Sequence, residues 1–193
     1  MPTTSSPPSR RRRLPRAERE AAMLRAAGDL FAARGFHAAS MDEIAEAAGI
    51  SKPMLYNYFG SKEGLYAAYV RSSAQALIQR MREAASPSAP AQERLRAGLL
   101  AFLTYAEQHR AGWAVLHNEA TAQSDPLATE VMNLRERLTG MLNRIFDDDG
   151  FAHAFAGATE SLVSWWLAHP EHPKDLAVGL LMNIAESKRA ADT

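Results

Sequence analysis

An all-α fold of about nine helices is what this chain predicts, and three observations predict it. Apolar residues recur at spacings of three and four through most of the 193 residues. Helix start and stop signals sit where those stripes begin and end, above all around Ser40, Gly49 and Gly60. Clear breaks separate the stripes, at Ser86–Pro90 (SPSAP) and at Asp147–Gly150. The length accommodates one or two domains with a substantial core.

Met1 to about Arg13 is rich in Pro, Ser and Thr and ends in Arg10-Arg11-Arg12-Arg13, a segment expected to hold no fixed structure alone. It is not a twin-arginine export signal, because LPRAERE follows where an apolar stretch is required. It reads either as a basic arm reaching phosphates or a minor groove, or as a solvated tail. The first helix is predicted over 16–34, with Ala17, Ala21, Leu24, Gly28 and Phe31 forming its stripe. Gly28 costs roughly 1 kcal/mol against Ala there, which points to close packing against a neighbour. Gly35 stops the helix, and Phe36 can fold back onto its last turn.

Ser40 followed by Glu43 is a capping box, so a second helix begins at Met41 and presents Ile44, Ala45 and Ala48 on one face. Gly49 occupies the left-handed position after it. Ser51 is an N-cap for a third helix, whose first turn tolerates Pro53 because those amides have no intrahelical partner. Leu55 and Phe59 lie on one side of it; Pro53, Met54 and Asn57 lie opposite, with Tyr56 and Tyr58 on the flanks. Gly60 ends it. Two short helices, a tight Gly-containing turn and an exposed polar and aromatic face make a helix-turn-helix, the alternative being a helical hairpin in an ordinary bundle.

GISKPMLYNYFGSKEGLY, residues 49–66, resembles the signature of the tetracycline-repressor (TetR) family of bacterial transcription regulators. Gly35-Phe36 and Ser40-Met41-x-x-Ile44-Ala45 fit it as well, so the resemblance covers about Arg16 to Leu65, a third of the chain. Gly157 through Trp165-Trp166-Leu167-Ala168-His169-Pro170 is similar to the closing helices of many members. The resemblance implies a disordered arm at 1–14, a three-helix DNA-binding domain at 15–62, and a ligand-binding and dimerisation bundle at 63–193.

It also implies roles. Ser51 and Lys52, at the positively polarised start of the third helix, would meet a phosphate. Tyr56 and Tyr58 match positions whose polar tips reach the DNA backbone, with core packing as their alternative. Pro53, Met54 and Asn57 point toward base edges, and Asn57 is suited to pair bidentately with adenine. Lys62 fits the family's phosphate-clamping lysine. Ser40 and Met41 complete the DNA-facing set. Two departures stand out: Met41 sits where a phosphate-contacting Thr is usual, and Pro53 where Gly or a small polar residue is usual. Ile44, Leu55 and Phe59 read as core.

Beyond Ser61 a connecting helix is predicted to about Ala85, carrying Leu65, Tyr69 and Leu77 inward. A helix from about Gln92 to His109 follows, with Leu95, Leu99, Phe102 and Ala106 on one face. Gly112–Thr121 is predicted as a short helix. Asp125 caps the next, whose stripe is Leu127, Val131, Leu134, Leu138, Met141 and Ile145. The last two helices are predicted over 151–168 and 173–188. In the first of them Phe151, Phe155, Ala158, Leu162 and Trp165 form one stripe, and Thr159, Val163 and Trp166 another. Burial on two sides suggests a partner subunit, and a four-helix homodimer interface of Phe155, Thr159, Leu162, Val163, Trp166, Leu176, Leu180 and Ile184 is the family expectation. The candidate chamber residues are Phe102, Tyr105, Trp113, Leu116, Leu138 and Trp166, each alternatively plain core. Trp113 and Tyr105 near Glu107 or Glu119 would suit a cationic aromatic ligand.

The net charge of zero hides an asymmetry: residues 1–62 carry ten Lys/Arg against six Asp/Glu, and residues 63–193 carry twelve against sixteen. A chain that presents one end to a polyanion is expected to look like this. There is no cysteine, hence no disulfide, thiolate metal site or cysteine nucleophile. No apolar run approaches the ~18–20 residues of a membrane span, and the chain is expected in the cytoplasm. Asp147-Asp148-Asp149 lacks the twelve-residue ligand pattern of a calcium loop. His169-x-x-His172 and the pair His117, Glu119 make weak metal candidates, so no metal and no cofactor is expected. No nucleotide-binding glycine pattern or GxSxG occurs, and the chain is not expected to be an enzyme. The expected function is a ligand-responsive regulator, a repressor that binds a palindromic DNA operator as a dimer and is released by a small-molecule inducer. The alternatives are control by a partner protein without a small ligand, or a helical metal-binding protein or enzyme on the same fold.

Overall fold

Capping chemistry divides the chain into eight helices among the described residues, which in this computed structural model are 15–110, 113 and 126–191. They are α1 (Arg16–Ala38), α2 (Met41–Ala47), α3 (Lys52–Phe59), α4 (Lys62–Ala84), α5 (Ala91–Gln108), α6 (Pro126–Phe146), α7 (Asp149–Ala168) and α8 (Lys174–Ala191). No strand occurs among the described residues. The basic arm, the short helix expected at 112–121, the cap at Asp125, and Leu116, His117 and Glu119 lie outside the described residues.

The Ser40–Glu43 capping box is complete: Ser40 Oγ accepts from the Glu43 amide at 3.2 Å, and Glu43 Oε2 accepts from the Ser40 amide at 3.2 Å. Beyond α2 the Gly49 amide donates to the Glu46 carbonyl and the Ile50 amide to the Ala45 carbonyl, both at 3.0 Å. That reciprocal pair requires the left-handed Gly49, φ +64°. Ser51 stands at the N-cap of α3, yet its hydroxyl makes no capping bond. Gly35 (φ 76°) does not end α1 outright; it kinks it, and the helix resumes to Ala38. Asp148 caps α7 by accepting from the Phe151 amide at 2.9 Å. The acidic run is therefore a helix start.

Two cores result. Met23, Ala27 and Phe31 of α1, Ile44 and Ala45 of α2, Leu55 of α3, and Leu65, Tyr66 and Val70 of α4 form the first. Val131 of α6 joins it. The second joins α4, α5, α7 and α8 through Leu77, Leu99, Leu103, Phe155, Val163, Trp166 and Leu181. Thus α4 serves both cores, its first turns packing in the amino-terminal one.

Two expectations change here. The α1 stripe runs through Met23, Ala27, Gly28 and Phe31, and Ala17 and Ala21 are exposed. Gly28 does mark a close approach: a Cβ there would stand 3.0 Å from Tyr69 Cζ and 3.1 Å from Cδ2, with Cε2 closer still. The α4 ring is therefore pressed onto the α1 backbone. In α7 the buried face is Ala152, Phe155, Thr159, Val163 and Trp166, which leaves Trp165 exposed.

Candidate nucleic-acid interface and effector chamber

Because Leu55 is wholly buried, α3 is anchored by one side and offers the other to solvent. On that outer side lie Ser51, Lys52, Pro53, Tyr56 and Asn57, all exposed, with Tyr56 at 42%. The Asn57 side chain makes no hydrogen bond among the described residues, leaving its amide available. Lys52 Nζ donates to Asp42 Oδ2 at 2.8 Å, a bond that raises its pKa and aims the ammonium between α2 and α3. Tyr58 is half-buried, with the Arg16 guanidinium 5.3 Å from its ring centroid. Lys62 lies over the Phe36 ring at 4.6 Å and donates to the His37 carbonyl at 3.0 Å, so it is positioned rather than loose. Glu43 also pairs with Arg34 across α1 and α2; its carboxyl is held below the ordinary range, chiefly by the Ser40 hydroxyl.

Two members of the expected DNA-facing set are corrected. Met41 is 5% exposed and packs in the amino-terminal core, because α2 docks against α1 with this residue turned inward. It cannot meet DNA with its side chain. Met54 is half-buried against the same core, so only part of it faces outward. Ser40 spends its hydroxyl on the cap.

The second site is a small cavity of about 80 Å³ between α4, α5 and α6. Tyr69 and Ser73, Phe102, Tyr105 and His109, Trp113, and Val131, Leu134 and Leu138 line it. Trp113 meets Phe102 edge-on, ring centroids 5.5 Å apart, and its indole N–H donates to Ser164 Oγ at 3.0 Å. Burial raises the pKa of the Tyr69 and Tyr105 phenols, while the neighbouring Ser73 hydroxyl lowers it in part. His109 stacks near Tyr105 at 4.2 Å, and burial, then Arg80, lower its pKa. Phe102, Leu138 and the Arg135–Glu160 pair form a wall shared with a larger cleft of about 810 Å³ bounded by α4, α5, α6 and α7. Arg135 holds Glu160 through two bonds, at 2.8 and 2.7 Å.

Phe102, Tyr105, Trp113 and Leu138 line this cavity. Trp166 does not: it is buried among α5, α7 and α8, its indole N–H donating to the His172 carbonyl at 3.0 Å. Of the two acids expected near the Trp113 and Tyr105 rings, Glu107 is paired with Lys174 at 2.8 Å and does not line the cavity, and Glu119 lies outside the described residues. What periodicity did not reveal is Ser73, His109, Arg135 and Glu160. They come from α4, the C-cap of α5, α6 and α7, and are joined only by tertiary packing.

The expected dimer face divides. Phe155, Thr159, Val163 and Trp166 are buried inside the single chain and cannot form an interface; the α7 stripe they occupy is claimed by α5, α6 and α8. Leu162 is half-buried. Leu176, Leu180 and Ile184 of α8 stay about 40% exposed, 40, 42 and 40% in order, and Trp165 of α7 is exposed to a similar degree. His169 and His172 stack on Trp165 at 4.9 and 5.0 Å. Among the described residues no group of three or more His, Asp or Glu could hold a metal ion, and no helix is long and apolar enough to cross a membrane.

The profile described as bacterial regulatory proteins, tetR family, matches residues 23–69, and that of the tetracyclin repressor-like C-terminal domain matches residues 91–186. A TetR-like transcriptional regulator from Rhodococcus sp. RHA1 has the same fold, TM-score 0.75, at 38% identity over 92% of this chain and 99% of that one. The chain belongs to the tetR family of bacterial regulatory proteins. It is a transcriptional regulator of that family, with a DNA-binding helix-turn-helix in α2 and α3. Another tetR-family relative, the transcriptional activator FasR of Mycolicibacterium smegmatis, is 37% identical over 135 residues, 70% of this chain. The matched stretch spans 60% of FasR's length. The regulator FadR from Bacillus subtilis, solved in complex with stearoyl-CoA, shares the fold with TM-score 0.72 at 19% identity, over 87% of this chain and 96% of that one.

Proposed function

We propose that this tetR-family regulator binds a palindromic operator as a homodimer, represses transcription there, and is released when a small molecule occupies the chamber beneath α4. The observation that carries the reading is the position of Tyr69. Its ring lines the cavity on one side and presses on the Gly28 backbone of α1 on the other. A guest that moves this ring therefore moves the reading head. Val70 and Val131 strengthen the link, since each belongs to the amino-terminal core and to the chamber wall.

On DNA, α3 would enter the major groove with Asn57 toward base edges and Pro53, Tyr56 and the outer part of Met54 beside it. Ser51, Lys52, Tyr58 and Lys62 would serve the phosphates. Residues 15–62 are the functional reading head and 63–193 the sensing and pairing unit. Two copies joined through Leu176, Leu180, Ile184 and Trp165 would set the heads one helical turn, about 34–36 Å, apart. Shifting such a pair from 1:99 to 99:1 takes about 5.5 kcal/mol of differential ligand affinity.

Footprinting on the DNA upstream of its own gene tests the reading. A protected two-fold site is the expected result. Asn57→Ala should relax base preference, and Lys62→Ala should weaken all DNA and reduce the salt slope by about one. Equal footprints for parent and both variants would overturn the assignments. A promoter fusion decides the sign of control: output rising on deletion marks repression, and falling output marks activation, as FasR is named for.

A further inference from the structure

The larger cleft has a composition that the proposed regulation does not use. Its walls are apolar, with Leu95, Leu99, Phe102, Leu138, Leu142 and Ile145 facing in from α5 and α6. Its rim carries Arg82 from the end of α4, Arg94 from the start of α5 and Arg144 from the end of α6. None of the three is ion-paired among the described residues; Arg94 only donates to the Pro87 carbonyl at 3.5 Å. The acids that line the cleft are Glu136, which is exposed, and Glu160, which Arg135 already pairs. Three guanidinium groups with one free carboxylate, at the mouth of an apolar cleft, select for a molecule with both an anionic end and a water-avoiding body. A volume of about 810 Å³ lies within the range of ordinary small-ligand sites, ~300–1,000 Å³.

We propose that this cleft takes an anionic amphiphile, its apolar chain lying along the α5 and α6 leucines and its carboxylate or phosphate head held by Arg82, Arg94 and Arg144. The chain end runs toward Phe102 and Leu138, the wall shared with the inner cavity. Chain length thereby decides whether the guest stops in the cleft or presses through that wall toward Tyr69. This deepens the reading of the protein as ligand-responsive and rests on it.

Calorimetric titration of the full chain below micellar concentrations tests the proposal, with stearate, stearoyl-CoA, neutral octadecanol and free coenzyme A as probes. Binding of stearate or stearoyl-CoA is expected, tightening about tenfold for each two methylenes added across a series from eight carbons. A preference for stearate assigns a carboxylate head and a preference for stearoyl-CoA a phosphate head. Arg82→Gln combined with Arg144→Gln, both at exposed positions, should weaken either anion tenfold or more and leave octadecanol unchanged. Ala156→Phe, which plugs the cleft from α7, should abolish all chain binding, with a melting curve run to check its fold. Octadecanol binding as tightly as stearate, arginine variants that bind like the parent, or coenzyme A matching stearoyl-CoA would each overturn the proposal. So would no binding by any probe to a protein that still recognises its operator. Operator binding by the unliganded protein is measured alongside, so that failure of the regulator reading shows separately as absent DNA binding.

Discussion

Gly28→Ala puts the contact between reading head and sensing bundle to a quantitative test. The new Cβ would stand 3.0 Å from Tyr69 Cζ and nearer to Cε2, whereas ordinary contact begins at 3.4 Å, so the ring or the helix must give by at least several tenths of an ångström. The ring is not free to give on its outer side, because Phe31 and Tyr66 stand 6.1 and 6.2 Å from it, centroid to centroid. It can give only into the cavity it lines or by levering α1 from α4. Overpacking of this kind costs about 1–3 kcal/mol, and replacing Gly by Ala within a helix returns about 1 kcal/mol. The net is a loss of roughly 0–2 kcal/mol, or up to ~8 °C in melting temperature for a chain of this size.

Operator affinity is the sharper readout. If strain of about 1 kcal/mol is relieved by tilting α1, fluorescence-polarisation titration should show a fall of about fivefold, the lower end of usual coupling energies. Tyr69→Leu on the Gly28→Ala background removes the ring edge and should restore affinity, which a general loss of folding would not. A Gly28→Ala protein that melts higher than the parent and binds operator equally well would refute the reasoning, since the Cβ would then meet nothing.

Other expectations follow from single features. Ser40→Ala removes the capping-box hydroxyl and should cost about 1 kcal/mol, read as a melting point ~2–4 °C lower. Leu180→Glu with Ile184→Glu should convert a dimer to a folded monomer in sedimentation velocity and cut operator binding; a dimer that survives would place the interface elsewhere. His109 is held below its ordinary value near 6.5 by burial first and Arg80 second, with Asp29 opposing. The unfolded chain therefore takes up the proton first. The contribution of neutral His109 is fully present above pH 6.5 and is lost as pH falls from there through the lower folded-state pKa, a decline that His109→Gln should flatten in denaturant titrations.

Local chemistry made the amino-terminal unit legible. The Ser40–Glu43 box, the left-handed Gly49 and the anchoring Leu55 act within a few residues of themselves, and the spacing of α3 placed Tyr56 and Asn57 outside correctly. Met41 misled because its number in the helix was right and its burial depended on how α2 docks against α1. The bundle was less legible for the same reason. Helix α7 is apolar on more than one face, so periodicity could not tell which stripe the chain keeps for itself. Packing gave Phe155, Val163 and Trp166 to the core and left Trp165 out. Arg135 and Glu160 are 25 residues apart and face each other only once α6 meets α7.

On the proposed reading, the two cores would let a chamber guest and an operator compete. Separate cores would let the head ignore the bundle; one continuous core would resist any relative motion. Here Leu65, Tyr66 and Val70 of α4 pack in the amino-terminal core while Leu77, two turns on, packs in the core of the bundle. A rigid helix held at both ends transmits a displacement at one as a tilt at the other, because close-packed side chains repack in discrete steps and do not compress. Arg71, paired with Glu130 at 2.6 Å, ties the middle of α4 to α6 and supplies a pivot for that tilt. Because that pair is exposed on the arginine side, its own contribution to stability is small. Arg71→Ala should accordingly leave the melting point nearly unchanged while altering the operator affinity difference between free and liganded protein. An equal drop in stability and in DNA binding would mean that the pair is a brace and not a pivot.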